Sequence, residues 1–549
     1  MKDTLEDKFQ AIVAYHEASK HSSSRFAASP GYMDWENQPD PFRLFEGTER
    51  IRLPLIGKDV DASYENLYNR ENLRAKPFNL ENIGHFLELS IGLSAWKFHA
   101  GEHWPLRMNP SSGNLHPTEA YLVLPQLGGL HPGVFHYSPL LHALERRATL
   151  KKEMWDTIRS HFVSEGFWVA LTSIFWRESW KYGERAYRYC NHDVGHALAA
   201  LSISANLLGW KMLYLNSLAD EDIETILGLK KTPWHPSEEE HPDLMCFVFP
   251  ADSGEEIPVD LPGDIVRSFD SVEFRGIPNK LSNMPVRWDI IYHTAEMARK
   301  SKTLPGKFQL DRGDFKREVS SRFSAAHIIR KRRSGMDFDI GKSQMDKSRF
   351  ISLLDKTLPR QHCAPFDMAL HSPCIHLLIF VHHVTGMDQG LYAFVRDKHD
   401  LPWLKEAFAP GFAWEPVTGD FPLFLLAGGN YRDIAAVISC EQEIAGHSAF
   451  SLGMAAKFRS VLRRQPFRYR HLFWEAGMVG QVLYLEAEAN GLSGTGIGCF
   501  FDDEMHRIAG IQNNRYQSLY HFTVGTAIED PRLTTLPPYL HRQPAEKKP

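Results

Sequence analysis

The sequence is poor in cysteine, in long apolar runs and in excess charge of either sign. Six cysteines are scattered through 549 residues without a CxxC pair, which argues against a disulfide framework and favours a reducing compartment. The strongest apolar run, CIHLLIFVHHV from Cys374 to Val384, is shorter than the roughly 20 residues that a membrane-spanning helix needs. A net charge of −5 gives no reason to expect a nucleic-acid partner.

The start of the chain, MKDTLEDKFQAIVAYHE, is charged and amphipathic and lacks the apolar centre of a signal peptide. A composition of 43% apolar and 23% charged residues is that of a globular protein. We therefore expect a cytoplasmic protein without a membrane segment. At about 150 residues per domain, the length alone would suggest three or four domains.

An internal repeat replaces that estimate. Over more than 40 positions, several residues of the first half match residues 282 positions later, and three glycines are among them. The matched pairs are Tyr187 and Tyr469, Arg188 and Arg470, Asp193 and Glu475, Gly195 and Gly477, Gly209 and Gly491, Asp220 and Asp502, and Gly228 and Gly510. Upstream segments match at separations of 257 and 255. We predict two homologous halves, 1–265 and 321–549, and a connecting segment, 266–320, with one helix near Trp288 to Lys300.

Each half shows the same coarse pattern of secondary structure. An apolar strand, Tyr121 to Leu124 or Leu377 to Phe380, is followed by a second strand near Phe135 or Tyr392. A long amphipathic helix then ends at a glycine, and a last strand follows near Cys246 or Tyr520. Hairpin signals are weak. The pattern predicts an α+β fold that occurs twice.

The two halves differ where one copy has kept polar residues. The loop Pro110-Ser-Ser-Gly-Asn-Leu-His-Pro117 has hydroxyls and a carboxamide, which its counterpart at 365–371 has lost. Such groups suit the edge of a polar ligand, although a helix N-cap turn is an equal alternative. The Ile329-Arg-Lys-Arg-Arg-Ser334 segment of the second half has the guanidinium and hydroxyl groups of a phosphate clamp; a solvated charged face is the alternative.

A third difference is the glycine run from Gly491 to Phe500. It is a weak dinucleotide fingerprint because it follows a helix rather than a strand. Its main-chain N–H groups could still face a planar ligand. The His192–His196 pair has the spacing of some zinc sites, but its repeat partners carry no ligands, so we predict a packed helix face and no metal. Cys499 is interpreted as a packing residue, since no partner base is identifiable.

Together these segments resemble the nitroreductase-like FMN flavoproteins, and within them the SagB/ThcOx-type dehydrogenases. That family has an α+β fold that dimerises, with FMN bound between the subunits. This chain resembles such a dimer fused into one polypeptide, and further oligomerisation stays open. Because each half keeps a different part of the site, the resemblance implies one FMN per chain and a second site that is empty.

The resemblance also implies roles for individual residues. Arg332 and Ser334 would hold the phosphate together with Arg532, the Pro-Ser-Ser loop would meet the ring or ribityl chain, Gln442 would meet the pyrimidine edge, and the backbone near Ile497 would lie by flavin N5. The full set implied for cofactor binding is Pro110, Ser111, Ser112, Asn114, Arg332, Arg333, Ser334, Gln442, Gly496, Ile497, Gly498, Cys499 and Arg532.

Lys181 and Tyr182 resemble the Lys-Tyr pair associated with azoline oxidation in that group. A tyrosine beside a lysine cation can have a lowered pKa and accept the proton left after hydride transfer. The implied substrate is a small molecule or a modified peptide. Two alternatives remain: an NAD(P)H-dependent nitro or quinone reductase, and a binding protein whose catalytic function has decayed.

Overall fold

A computed structural model describes residues 3–57, 62–70, 73–254, 256–306, 308, 310, 320–368 and 370–542. The helices of the first part of the chain, through the connecting segment, are α1 Leu5–Ala18, α2 Leu80–Glu88, α3 Lys152–Phe162, α4 Phe175–Tyr182, α5 Ala186–Leu207, α6 Asp220–Leu227, α7 Gly263–Ser268 and α8 Asp289–Met297. Its strands are β1 Phe45–Glu46, β2 Arg50–Arg52, β3 Leu93–His99, β4 Glu102–Arg107, β5 Thr118–Leu124, β6 Gly133–Ser138, β7 Ala143–Thr149, β8 Phe167–Ser173, β9 Trp210–Tyr214, β10 His241–Pro250 and β11 Ile277–Pro278.

The second half repeats the order of six sheet strands and of the long central helix. Its helices are α9 Ala325–Lys331, α10 Lys347–Lys356, α11 Leu401–Ala407, α12 Arg432–Ile438, α13 Arg459–Arg464, α14 Arg468–Ala489 and α15 Asp502–Ala509. Its strands are β12 Met345–Asp346, β13 Ile375–Val381, β14 Val384–Thr385, β15 Gly390–Phe394, β16 Glu415–Pro416, β17 Leu423–Gly428, β18 Phe450–Lys457, β19 Ser493–Ile497, β20 Tyr516–Gly525 and β21 Thr534–Leu536. Not one of these described helices is long and apolar enough to cross a bilayer.

Two seven-stranded sheets confirm the predicted α+β repeat, and six strands of each follow the same order. Their strand orders are β2-β7-β6-β5-β8-β10-β9 and β16-β17-β15-β13-β18-β20-β19, and neighbouring strands are antiparallel throughout. The edge strands differ, because β2 precedes β5 in the chain whereas β16 lies between β15 and β17. The helix predicted in the connecting segment is α8. The exact limits of the halves stay a prediction.

The helices α5 and α14 lie side by side at the centre of the molecule. Every residue of α5 and all but the first of α14 are buried, as expected of helices that are covered on all sides. The rings of Tyr187 and Tyr469, which are equivalent in the repeat, are stacked with centroids 6.3 Å apart. The predicted pseudo-dimer is therefore built on this helix pair.

Two equivalent glycines mark the point where these helices cross. A Cβ atom added to Gly195 would lie 2.2 Å from the carbonyl oxygen of Trp474 and 2.9 Å from Cα of Gly477. A Cβ added to Gly477 would lie 2.3 Å from the carbonyl oxygen of His192 and 2.9 Å from Cα of Gly195. The backbones touch because neither residue has a side chain, and the pseudo-two-fold axis passes between them.

Two buried ion pairs join the halves with the same symmetry. Arg188 of the first half pairs with Asp502 of the second at 2.7 Å, and Arg470 pairs with Asp220 at 2.8 Å. All four side chains are nearly inaccessible to solvent. Buried ion pairs of this kind specify how surfaces meet, because a misplaced partner leaves a charge without compensation.

The halves also exchange peripheral elements. Residues of α1 pack into the apolar core of the second half, and residues of α9 pack against the first half. The C-terminal strand β21 pairs with β3, which forms a hairpin with β4. The weak hairpin signals of the sequence did not reveal this hairpin, whose turn residues Ala100 and Gly101 have φ of 50° and 94°. A turn of this type is usually signalled by Asn-Gly rather than Ala-Gly.

Candidate functional site

The serine loop of the first half is held in place by bonds within that half. The Ser112 main-chain N–H and hydroxyl both donate to Asp193 at 3.0 Å, and Ser111 Oγ accepts the His116 N–H at 2.8 Å. The Asn114 amide donates to the Pro105 carbonyl at 2.9 Å. Ser111 precedes a short 3-10 helix but makes no side-chain N-cap bond, and the loop from Pro110 to Asn114 keeps a partly exposed surface.

The predicted phosphate clamp lies against the first half. Arg332, which directly follows α9, donates through Nη2 to the Arg107 carbonyl at 3.0 Å, and Arg333 donates through Nη2 to the Ser94 carbonyl at 3.1 Å. Arg332 is 4% exposed, and its Nε has no partner among the residues that the structure describes. A buried cation with an unused donor is the part of this clamp best suited to an anion.

Tyrosine side chains connect the clamp to the glycine run. The Gly496 N–H donates to Tyr484 Oη at 2.9 Å, and the Ser334 hydroxyl lies 2.8 Å from the same oxygen. A Cβ on Gly496 would collide with Tyr520 Oη, and a Cβ on Gly498 would lie 2.4 Å from the Tyr189 ring. The Cα atoms of these two glycines therefore lie against tyrosines of the chain, and a planar ligand beside this run stays a prediction.

The remaining residues of the glycine run contact the first half and the segment 438–442 (the 440 region). Arg185 donates through Nη2 to the Gly498 carbonyl at 2.9 Å, and Gln442 donates through its amide to the Cys499 carbonyl at 3.1 Å. Ile497 is buried at the end of β19. Gln442 thus lies beside the glycine run with its amide N–H bonded within the chain, and its role at the pyrimidine edge stays a prediction.

Lys181 and Tyr182 end helix α4 beside the serine loop. Lys181 Nζ lies 5.3 Å from the centre of the Tyr182 ring, and a Cβ on Gly113 would lie 2.6 Å from Tyr182 Oη. The expected lowering of the tyrosine pKa is wrong in this structure. Burial, followed by the charge of Glu178, raises the pKa of Tyr182 well above its usual range.

Two carboxyl groups that sequence reasoning missed lie in the same region. Burial raises the pKa of Asp193 to about 7. Burial and the nearby Asp193 charge raise the pKa of Glu178 well above its usual range, and both Glu178 carboxyl oxygens lack a partner among the described residues. Both lie on buried helices, where an ionisable side chain is the available signal.

The structure brings most of the predicted residues together from both halves, but not Arg532. The main chain of Arg532 adjoins His99, at the far end of β3 from Ser94, and its guanidinium pairs with Asp530 and is exposed. Five residues of strand separate His99 from Ser94, or about 16 Å. Arg332 and Arg532 are therefore held apart because β21 pairs with the outer end of the hairpin.

The equivalent place across the pseudo-axis is apolar. Met368 and Leu370 of the 365–371 loop pack in one buried cluster with Trp210, Trp474 and Met478. Trp474 and Met478 are the counterparts of His192 and His196 in the repeat. Large apolar side chains therefore fill the places that His192 and His196 hold in the first half.

Near that apolar region, His371, Cys374 and Glu475 place possible metal-ligand atoms within 4.8 Å of one another. The Glu475 carboxylate is bonded to Arg396 and to the Cys374 main-chain N–H, and Arg468 donates to Cys374 Sγ at 3.3 Å. The guanidinium groups of Arg396 and Arg468 thus bond the groups that would otherwise be free to bind a metal ion.

Comparison with known proteins decides the family. The model of the nitroreductase family matches residues 70–237 and 416–526, one segment in each half. This chain belongs to the nitroreductase family. It is therefore a nitroreductase-like oxidoreductase with tandem domains, and the resemblance noted from the sequence is confirmed.

Individual relatives agree with this assignment. The chain is 25% identical over 196 residues to the putative nitroreductase MJ1384 of Methanocaldococcus jannaschii, covering 34% of this chain and 93% of that protein. It is 32% identical over 138 residues to the trifolitoxin-processing protein TfxB of Rhizobium leguminosarum bv. trifolii, covering 24% of this chain and 37% of that one. A crystal structure of a putative nitroreductase from Anabaena variabilis has the same fold, with a TM-score of 0.68 and 22% identity over 94% of this chain and 99% of that one.

Proposed function

We propose that this protein is an FMN-dependent dehydrogenase that oxidises an azoline or a similar ring in a modified peptide. Family membership supports the oxidoreductase chemistry, and the similarity of one segment to TfxB supports a processed peptide as substrate. The observation that carries the proposal is the meeting of the Arg332 clamp, the serine loop and the Lys181–Tyr182 pair at one junction between the halves.

The donor set fits an aromatic phosphate. Arg332 offers a buried positive charge with an unused N–H, and the exposed Ser334 offers a hydroxyl beside it. Beside the serine loop, the rings of Tyr182 and Tyr189 pack edge to face with centroids 4.6 Å apart. Arg332 and Ser334 would hold the phosphate, and the loop from Ser111 to Asn114 would contact the rest of the cofactor. When bound, FMN would supply the hydride acceptor.

The chain itself must accept the proton that remains on the substrate. Because the pKa of Tyr182 is raised, this side chain is a phenol at neutral pH and can only relay a proton. Asp193, whose pKa of about 7 lies near the working range of a general base, can receive it. We assign Tyr182 as the relay and Asp193 as the acceptor of this proton.

Flavin stoichiometry tests the cofactor part of the proposal. The purified full chain is saturated with FMN, freed of excess and denatured, and released flavin is measured by absorbance. We expect one FMN per chain, because the equivalent region across the pseudo-axis is filled by Trp210 and Trp474. Arg332→Gln should lose most of the flavin, and Arg322→Gln, at an exposed residue, should keep it. A ratio near two, or no flavin at all, contradicts the proposal.

The substrate is tested separately. With a thiazoline-containing peptide and oxygen as acceptor, mass spectrometry should show the loss of two hydrogens from the ring. Stopped-flow mixing with NADPH discriminates the reductase alternative: rapid bleaching of the flavin favours a nitro or quinone reductase, whereas a flavin that stays oxidised favours the dehydrogenase. Bound flavin without turnover of the peptide contradicts the substrate while leaving the cofactor assignment intact.

A further inference from the structure

Two cysteines that are distant in the sequence meet at the rim of the candidate site. Cys440 Sγ and Cys499 Sγ are 2.6 Å apart, and 59 residues separate them in the chain. Both are partly exposed, whereas Cys190, Cys246 and Cys374 are buried. The pair was not visible from spacing, because neither cysteine belongs to a CxxC motif.

The two segments that carry these cysteines are joined by main-chain and side-chain bonds. The Phe501 N–H donates to the Ile438 carbonyl at 2.7 Å, two residues from each cysteine, and Gln442 donates to the Cys499 carbonyl at 3.1 Å. The two bonds join the segments close to both cysteines and so keep the two thiols opposite each other. A disulfide needs Cα atoms within about 7 Å, and segments joined by these bonds let the two sulfurs approach each other without movement of distant parts.

The backbone at Cys440 is unusual as well. Cys440 and Glu441 have φ of 56° and 59°, a left-handed conformation that residues with a side chain rarely adopt. Two such residues in succession are maintained only when the surroundings hold them. Here the conformation places the Cys440 side chain against Cys499.

The surroundings favour a thiolate on Cys499 rather than on Cys440. Cys440 can donate its S–H, and the His21 ring and the Arg185 guanidinium lie nearby; together they lower the pKa of Cys499 and leave the proton on Cys440, whose pKa is raised. His21 Nδ1 accepts the Ala27 N–H at 2.9 Å, so its other nitrogen carries the proton that can face Cys499. The partner group that the sequence did not reveal for Cys499 is therefore present.

We propose that Cys440 and Cys499 are a redox-active pair that forms a reversible disulfide by exchange with a low-molecular-weight disulfide. The Cys499 thiolate attacks one sulfur of the small disulfide, which forms a mixed disulfide and releases one thiolate. Cys440 then attacks Cys499 Sγ, the protein disulfide forms, and the second small thiolate leaves with the proton of Cys440. Two protein sulfurs are oxidised and the small disulfide is reduced to two thiols.

The pair lies next to the residues that we assign to proton transfer. The charge of a Cys499 thiolate is among the causes that raise the pKa of Tyr182 and of Tyr189. Forming the disulfide removes that charge and ties the 440 region to the glycine run. The redox state of the pair therefore changes the electrostatic surroundings of Tyr182 and Tyr189 at the junction between the halves, whatever substrate is bound there.

Thiol mapping of the full-length protein tests this proposal without any assay of turnover. The reduced chain is incubated with glutathione buffers of increasing oxidised fraction, quenched in acid, alkylated and digested. We expect mass spectrometry to find a peptide linked through Cys440 and Cys499, which dithiothreitol releases. Cys363 is also partly exposed, but burial raises its pKa to about 11, so it should stay unlinked, and Cys363→Ser should leave the linkage unchanged.

Single variants identify the attacking thiol. Cys440→Ser should accumulate a glutathione adduct on Cys499, whereas Cys499→Ser should form at least about tenfold less adduct on Cys440, because the thiolate is the nucleophile. In the wild-type chain at pH 6, iodoacetamide should modify Cys499 at least about tenfold faster than Cys363. The proposal is overturned if both cysteines stay free in the oxidising buffers, if they link to other cysteines, or if Cys499 reacts no faster than Cys363. The rate at pH 6 needs only the unaltered protein, so misfolding of a variant does not obscure it.

Discussion

Replacing Gly477 by alanine probes the helix crossing on which the pseudo-dimer depends. The new Cβ would lie 2.3 Å from the His192 carbonyl oxygen and 2.9 Å from Cα of Gly195, whereas an ordinary contact begins at 3.4 Å. Since the obstructing atoms belong to the main chain, they cannot rotate away, and α5 and α14 must separate by about 1 Å in a close-packed interior.

The size of the effect follows from two opposing contributions. Overpacking a well-packed core costs about 1–3 kcal/mol, and a clash with main-chain atoms belongs at the upper end of that range. Alanine is better than glycine within a helix by about 1 kcal/mol. We therefore expect Gly477→Ala to lower the free energy of unfolding by about 2 kcal/mol.

Urea titration followed by tryptophan fluorescence measures this loss. Gly411→Ala is the control, because an added Cβ there has no atom within 4 Å. Gly195→Ala should lose a similar amount. If Gly477→Ala is as stable as the wild type while the control is unchanged, then the helices do not cross at these glycines and the position of the pseudo-axis is wrong.

Three further predictions concern buried charge and proton transfer. Burial raises the pKa of Asp193 from 3.8 to about 7, so the folded chain retains a proton that the unfolded chain loses, and this group lowers stability as the pH rises from about 4 to 7. Asp193→Asn should remove that loss. The difference in unfolding free energy between variant and wild type should then grow with pH across this window, by at most about 1.4 kcal/mol per pH unit. Urea titrations at several pH values measure this difference, and a difference that stays constant with pH contradicts the prediction. Arg470→Gln should cost about 3–5 kcal/mol because Asp220 is left buried without its cation, and adding Asp220→Asn should recover part of the loss; thermal unfolding that is unchanged in the single variant would show that the pair does not hold the halves. Tyr182→Phe should keep FMN, by absorbance after denaturation, but abolish ring oxidation, by product mass, and unchanged turnover removes its assigned role.

Much of the architecture could be predicted because it depends on local residue patterns that occur in both halves. The register of Gly195 with Gly477 identified two copies of one domain, and the apolar strands and the long helices followed from their periodicity. The β3–β4 hairpin was missed for an equally local reason, since Ala100 and Gly101 adopt positive φ without the usual Asn-Gly signal.

The candidate site could be predicted only in part. The polar loop at Ser112 and the clamp at Arg332 stand out because their counterparts in the other half lost these groups. The direction of the Tyr182 pKa could not be foreseen, since it depends on burial and on Glu178 rather than on the adjacent lysine. The separation of Arg532 from the clamp depends on which strand β21 joins.

The sequence by itself determined that this protein is a duplicated α+β chain whose polar residues are divided between the copies. Residue type and periodicity carry that information, because they act over a few positions and survive duplication. Only the tertiary structure decided which groups meet across the halves and how their protons are held. The contact of Cys440 with Cys499, and the burial that shifts Asp193, arise when distant segments exclude water from one another, and no spacing in the chain records that.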